Sequence, residues 1–276
     1  MEDYPRFLTE GAKPFNPLEL AEKTERIVTR LSGGGLKRKY TSFYTASVYG
    51  GIATGCAVGC CLRCFYCWSN WSRDFPEKYG VFYSPRQVAL NLFKAARDCK
   101  QFRGVEKLRL SCCEPTIGFK HLIGVLTYIM DSDYSLFILE SNGVILGSSR
   151  VYAKQLAEFK GKLYVRISFK AATPEGFTQR TGAIGSFYLL PFKALKYLLD
   201  EGVYVRAAAM TDERIMSRDE RNLLIQMLDL IDPAANYAET LEEETLHPYN
   251  MSVNRMRAFK DRLFADKLVK KILRGG

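Results

Sequence analysis

The chain has 276 residues, 47% of them hydrophobic, which is enough for one large core or a core with appendages. No stretch approaches the roughly 18 consecutive apolar residues of a membrane span, and "MEDYPRFLTEGAKPF" lacks the basic-then-apolar order of a signal peptide. A cytoplasmic, reducing setting without a membrane partner is therefore expected; there, clustered cysteines favour a metal over a disulfide, intracellular proteins of hyperthermophiles being the exception. The 40 Lys and Arg against 30 Asp and Glu leave a formal charge of +10.

Residues 1–45 are expected to form an N-terminal extension with one helix, "PLELAEKTERIVTRL", ended by the glycines of "SGGG" at 32–35. From about residue 46, strands and helices alternate. "ASVYGGIAT" is the first expected strand and runs straight into a cysteine-rich stretch. The helix "RQVALNLFKAARDC" follows, then the strand "VEKLRLSCC" and the helix "FKHLIGVLTYIM", with Phe119, Leu122, Ile123, Leu126 and Ile129 at helical spacing. The third strand is "SLFILESNG", followed by the helix "RVYAKQLAEF". "KLYVRISFKA" and "VYVRAAAM" supply the fourth and fifth strands, with the helices "PFKALKYLLDEG" and "RDERNLLIQMLDLI" after them. A weak sixth strand falls within 234–249, and "VNRMRAFKDRLFADKLVKKIL" is an amphipathic helix.

Alternating strands and helices give a parallel sheet, either an open doubly wound sheet or a barrel, complete or partial. In both, chemistry gathers at the C-terminal ends of the strands. The informative polar residues fall there: the cysteine stretch, then Glu114, Asn142 and Lys170. The chain divides into the extension (1–45), a core (46–250) and a basic C-terminal helix (251–276) carrying Arg255, Arg257, Lys260, Arg262, Lys267, Lys270, Lys271 and Arg274. Together with Lys37, Arg38 and Lys39, that charge either attracts a polyanion such as RNA or an acidic protein, or simply solvates a helix face.

"GCAVGCCLRCFYCWSN" packs Cys56, Cys60, Cys61, Cys64 and Cys67 into residues 55–70. Cys60, Cys64 and Cys67 fit C-x3-C-x2-C, three thiolates for three irons of a cubane, with the fourth iron open to an exogenous ligand. A structural zinc site wants four ligands, commonly two separated C-x2-C pairs, and only Cys99 and the adjacent Cys112–Cys113 follow. A shifted set of Cys56, Cys60 and Cys64 is formally open, as is a redox "CFYC". Cys56 and Cys61 are then extra thiols, joined in a disulfide or inert. Cys99 falls on an apolar helix face and His121 on a polar, surface one. His121 and His247 are the only histidines, little material for His-based zinc or acid–base chemistry.

On these residues the sequence resembles the radical SAM superfamily: the C-x3-C-x2-C spacing with the aromatic Tyr66 before the last cysteine, "CCEPT" (112–116) for the family's "GGEPT", and "ESNG" (140–143) for "ETNG". "RISFK", "RTG" (180–182) and "LHPYN" (246–250) look like elements of small activating enzymes such as the pyruvate formate-lyase activator, and "CLRCFYCW" is similar to the archaeal wybutosine-forming enzyme of tRNA. The resemblance covers roughly 46–250 and implies a partial (βα)6 TIM-like barrel with an N-terminal extension and a C-terminal helix. It implies one [4Fe–4S] cluster on Cys60, Cys64 and Cys67, with S-adenosylmethionine (SAM) on the open iron. Glu114 would meet the SAM ammonium, Asn142, Ser168 and Lys170 the ribose and carboxylate, Arg206 would share that work, and Tyr66 would lie near the adenine. Cys112 and Cys113 replace the family's two glycines; Cys113 is expected near the reactive site as small buried filler, with a substrate-side thiol or a ligand as the alternatives.

The implied activity is reductive cleavage of SAM to a 5′-deoxyadenosyl radical that abstracts hydrogen from a substrate, as in an activating-type oxidoreductase or a radical-based modification enzyme. The electron would come from a flavodoxin or ferredoxin, and the substrate would be a protein, or an RNA or nucleotide. The rival is a non-catalytic iron–sulfur or zinc module on an α/β scaffold.

Overall fold

The computed structural model describes residues 4–101, 104–260, 267 and 270. Helix α1 (Pro17–Val28) starts where Asn16 accepts the Leu18 and Glu19 amides and Pro17 fills the first turn. The expected helix is shorter than its sequence pattern. Thr29–Ser32 leaves it as strand β1 and turns at Gly33 and Gly34, both at positive φ, into the long antiparallel strand β2 (Gly35–Ala46). The glycines of "SGGG" thus make a hairpin turn rather than a helix stop. Residues 47–51 are the connection out of β2, so the first parallel strand, β3, spans only Ile52–Ala57.

β4 (Val81–Tyr83) pairs with β2 and leads to α2 (Pro85–Arg97), which opens on a capping box of Ser84 and Gln87. Then follow β5 (Lys107–Ser111), α3 (Phe119–Met130), β6 (Leu136–Ser141), α4 (Val144–Ser148) and α5 (Arg150–Ala157). The remainder is β7 (Leu163–Phe169), α6 (Pro174–Thr181), α7 (Leu190–Asp200), β8 (Tyr204–Met210), α8 (Arg218–Asp229), the short α9 (Tyr237–Thr240), β9 (Glu242–Glu244) and α10 (Asn250–Phe259). Of the expected C-terminal helix, 261–266, 268–269 and 271–276 lie outside the described residues.

The sheet order is β1-β2-β3-β5-β6-β7-β8-β9, with β4 beside β2. β3, β5, β6, β7, β8 and β9 are mutually parallel and follow one another without doubling back, and β1, β2 and β4 add an antiparallel wing. That order is a partial barrel and rules out the doubly wound alternative, in which strand order reverses.

Strand alternation separates two environments. On β7, Leu163, Val165, Ile167 and Phe169 pack into the main core, as do Leu108 and Leu110 of β5 and Phe137 and Leu139 of β6. The intervening residues towards the C-terminal strand ends are polar: Arg109 and Ser111 both donate to Glu140, and Arg166 pairs with Glu242 and Glu244, while Ile52, Ile138 and Tyr164 form a small apolar cluster below them. His121 is a correction. It is fully buried, its Nε2 bonds the Tyr83 carbonyl oxygen at 2.9 Å, and its ring lies 5.9 Å from Tyr40. The β2–β4 wing covers the helix face that would otherwise be solvated. Among the described residues no helix is long and apolar enough to cross a membrane.

Candidate functional site

The segment after β3 is pinned to its surroundings by backbone bonds. Gly59, at φ +85°, donates to the Ser72 carbonyl (3.2 Å) and accepts from the Glu114 amide (3.0 Å). The Arg63 and Phe65 amides donate to the Thr181 and Arg180 carbonyls at 2.9 and 3.2 Å, so the "RTG" turn at the end of α6 backs the cysteine loop. Arg180 is itself fixed by a buried ion pair with Glu220.

A cavity of about 390 Å³ opens at the C-terminal ends of the parallel strands. Cys60, Cys64 and Cys67 line it together with Tyr66, Glu114, Asn142, Ser168 and Lys170. The structure thus gathers eight of the nine candidate residues into one space. The ninth, Arg206, lies outside the cavity lining and donates to the Tyr204 hydroxyl at 3.1 Å. Its register partner on the neighbouring strand, Arg166, lines the cavity instead.

Glu114 is almost wholly occupied by the protein. One oxygen accepts from the Thr116 amide (3.2 Å), the Thr116 hydroxyl (2.6 Å) and the Ser141 hydroxyl (2.9 Å), the other from the Asn142 amide (2.8 Å). Burial nevertheless holds its carboxyl above the usual range. Asn142 turns its side-chain amide onto sulfur, with Nδ2 3.4 Å from Cys61 and 3.6 Å from Cys60. Lys170 donates to the Ser168 hydroxyl.

The thiols differ. Hydrogen bonding from Cys61 draws Cys60 down to about 7, and the same contact pushes Cys61 well up. Burial raises Cys64 to about 12. Cys56 is a disulfide partner of Cys112, bridging the ends of the parallel neighbours β3 and β5. Cys112 sits at φ +76°, the left-handed region that glycine adopts without penalty. Cys112 is thus bonded, and Cys113 lines the cavity beside the other thiols. Sequence reasoning also missed Trp68, His247 and Tyr249 as lining residues, although "CW" and "HPYN" had drawn attention to that wording.

Among the described residues no three His, Cys, Asp or Glu side chains are gathered tightly enough to hold a single metal ion as placed. The donor chemistry does fit an iron–sulfur cluster and its ligand: thiols along one wall, and the buried Tyr66 hydroxyl in the lining with no partner among the described residues.

Comparisons with known proteins agree on the fold. SuiB from Streptococcus suis, bound to S-adenosylmethionine, is similar at a TM-score of 0.53 and 13% identity, over 79% of this chain and 46% of that one. A radical SAM methyltransferase from Sphaerobacter thermophilus is similar at 0.52 and 12% identity, over 83% and 72%. Native anSMEcpe with bound AdoMet overlaps at 0.49 and 15% identity, over 79% and 59%. No protein-family model and no curated protein matches the sequence. The chain has the fold of the radical SAM enzymes, and it spans about half the length of SuiB and anSMEcpe.

Proposed function

We propose that this protein is a radical SAM enzyme with one [4Fe–4S] cluster. The observation that carries the reading is the convergence of Cys60, Cys64 and Cys67 with Tyr66, Glu114, Asn142, Ser168 and Lys170 on one cavity at the strand ends. Cys60, Cys64 and Cys67 would hold the cluster. Bound there, the cluster would supply one electron to cleave SAM reductively, giving the 5′-deoxyadenosyl radical that takes hydrogen from the substrate.

The chain's own residues bind, orient and exclude water. Asn142 donates to the Cys60 sulfur, a contact that stabilises thiolate charge. Lys170, held by Ser168, is a cation for the SAM carboxylate. Glu114 fixes the Ser141–Asn142 turn and has one remaining lone-pair direction for the SAM ammonium. Trp68 and Tyr249, both half-exposed in the lining, flank the substrate's way in. The substrate, a protein or an RNA or nucleotide, and a flavodoxin- or ferredoxin-type electron donor complete the reading. Binding of RNA is expected to weaken steeply with salt.

Anaerobic purification and reconstitution test this. Iron with sulfide, and 5′-deoxyadenosine formed on reduction with SAM, support the enzyme; zinc alone with no SAM cleavage supports a metal-binding module. Cys64→Ala is expected to abolish cleavage and Cys99→Ala, outside the cavity, to leave it nearly intact.

A further inference from the structure

Cys60, Cys64 and Cys67 share a feature that their spacing does not reveal. Each has its backbone carbonyl taken by a fully buried arginine: Arg63 donates to Cys60 (2.8 Å), Arg73 to Cys64 (2.7 Å) and Arg255 to Cys67 (2.6 Å). Arg73 and Arg255 are joined through opposite oxygens of the buried Asp74. Arg255 comes from α10, the segment expected to be a basic appendage. Its guanidinium also holds the Ser69 and Asn70 carbonyls, Ser252 one turn earlier reaches the Cys67 carbonyl at 3.4 Å, and Phe259 stacks on Phe65 at 4.3 Å.

Among these four buried side chains, three guanidiniums face a single carboxylate, an excess of positive charge beneath the loop. Buried charge of one sign is costly without a counter-charge, and thiolates at Cys60, Cys64 and Cys67 would supply it. Carbonyl bonding also fixes the loop's backbone, from which the sulfurs project.

We propose that Arg255, with the helix that carries it, is a positioning residue of the cysteine loop: it clamps the Cys67 turn through the Arg73–Asp74–Arg255 triad and adds positive charge that favours the reduced state of what the thiols hold. The charge half of this rests on the cluster reading; the clamp half does not. An extra electron raises the negative charge of the site, so removing a nearby cation disfavours reduction.

Two measurements on Arg255→Gln and Arg255→Lys test it. In the metal-free protein, chymotrypsin is expected to cut after the aromatic residues within 65–71 about tenfold faster in Arg255→Gln than in wild type. In the reconstituted protein, Arg255→Gln is expected to lower the reduction equilibrium constant about tenfold, which is 59 mV for a one-electron couple. Arg255→Lys keeps the charge and loses the fork, so it is expected to share the faster cleavage and retain the wild-type potential. If Arg255→Gln loses the fold by circular dichroism, Ser252→Ala is expected to speed cleavage about threefold, on the scale of one hydrogen bond. Unchanged cleavage in the folded variants overturns the clamp. An unchanged potential in a loaded Arg255→Gln overturns the charge role. A wild-type protein that takes up no iron and sulfide defeats the cluster reading and with it the charge role, while the cleavage rates still decide the clamp.

Discussion

The Glu114 carboxylate accepts the backbone amide of Asn142 at 2.8 Å, joining the turn after β5 to the turn after β6 across the mouth of the site. Its other oxygen gathers donors from Thr116 and Ser141, so one side chain fixes its own turn and the turn after β6 against each other. In Glu114→Gln an amide N–H must face one of these donors. A loss of about 2 kcal/mol in denaturant unfolding is expected, from one buried donor left unmet. Glu114→Ala, which abandons four bonds, is expected to lose more.

His121 makes stability depend on pH. Burial, with Arg38 nearby, lowers its folded pKa to about 4 from 6.5. The unfolded chain therefore takes a proton that the folded chain refuses between those values, so the stability is fully present above about pH 6.5 and is lost as pH falls towards 4. The shift corresponds to about 3 kcal/mol. Unfolding midpoints measured from pH 7 to pH 4 are expected to drop in the wild type, and to lose that component of the drop in His121→Gln whatever its starting stability.

The Cys56–Cys112 bond closes a sequence separation of 56 residues. Chain-entropy arguments put the contribution of such a closure at about 4 kcal/mol, as an upper figure. Dithiothreitol is expected to lower the urea midpoint of the wild type by a matching amount and to leave a Cys56→Ala/Cys112→Ala double variant unmoved.

Gly59 has no room for a methyl group. A Cβ there would lie 2.4 Å from Thr24 Cγ2 on α1, at a φ of +85° that side chains resist. Gly59→Ala is expected to cost about 2 kcal/mol or more in unfolding free energy and to release the adjoining cysteine loop, read as faster chymotrypsin cleavage.

Much of this architecture was legible because local signals agreed with one another. "FKHLIGVLTYIM" became α3 residue for residue: its apolar spacing is strict, and Gly118 precedes it at positive φ. The cysteine spacing with Tyr66, "EPT", "SNG" and "RISFK" likewise named eight residues that share a cavity. The failures each involve a partner far away in sequence. His121 looked solvated on its own helix because β2 and β4 supply the cover. Arg166 and Arg206 occupy equivalent register on adjacent strands, and pairing to Glu242 and Glu244 rather than parity separates them. "SGGG" supports a helix stop and a hairpin equally; the alternation of "KRKYTSFYTA" decides it only once β3 is there to pair. A guanidinium bonded to a carbonyl leaves no spacing signature at all, so Arg63, Arg73 and Arg255 were invisible as a set.

The cysteine loop is held from both directions along the chain: Arg63 donates to the carbonyl of Pro5, while Arg255 reaches back 188 positions to Cys67. A growing chain leaving the ribosome therefore exposes its thiols long before it owns the residues that set them in place. Until Arg255 has been synthesised the Cys67 turn lacks its clamp, and a metal that met the thiols before then would find a loop without its final shape.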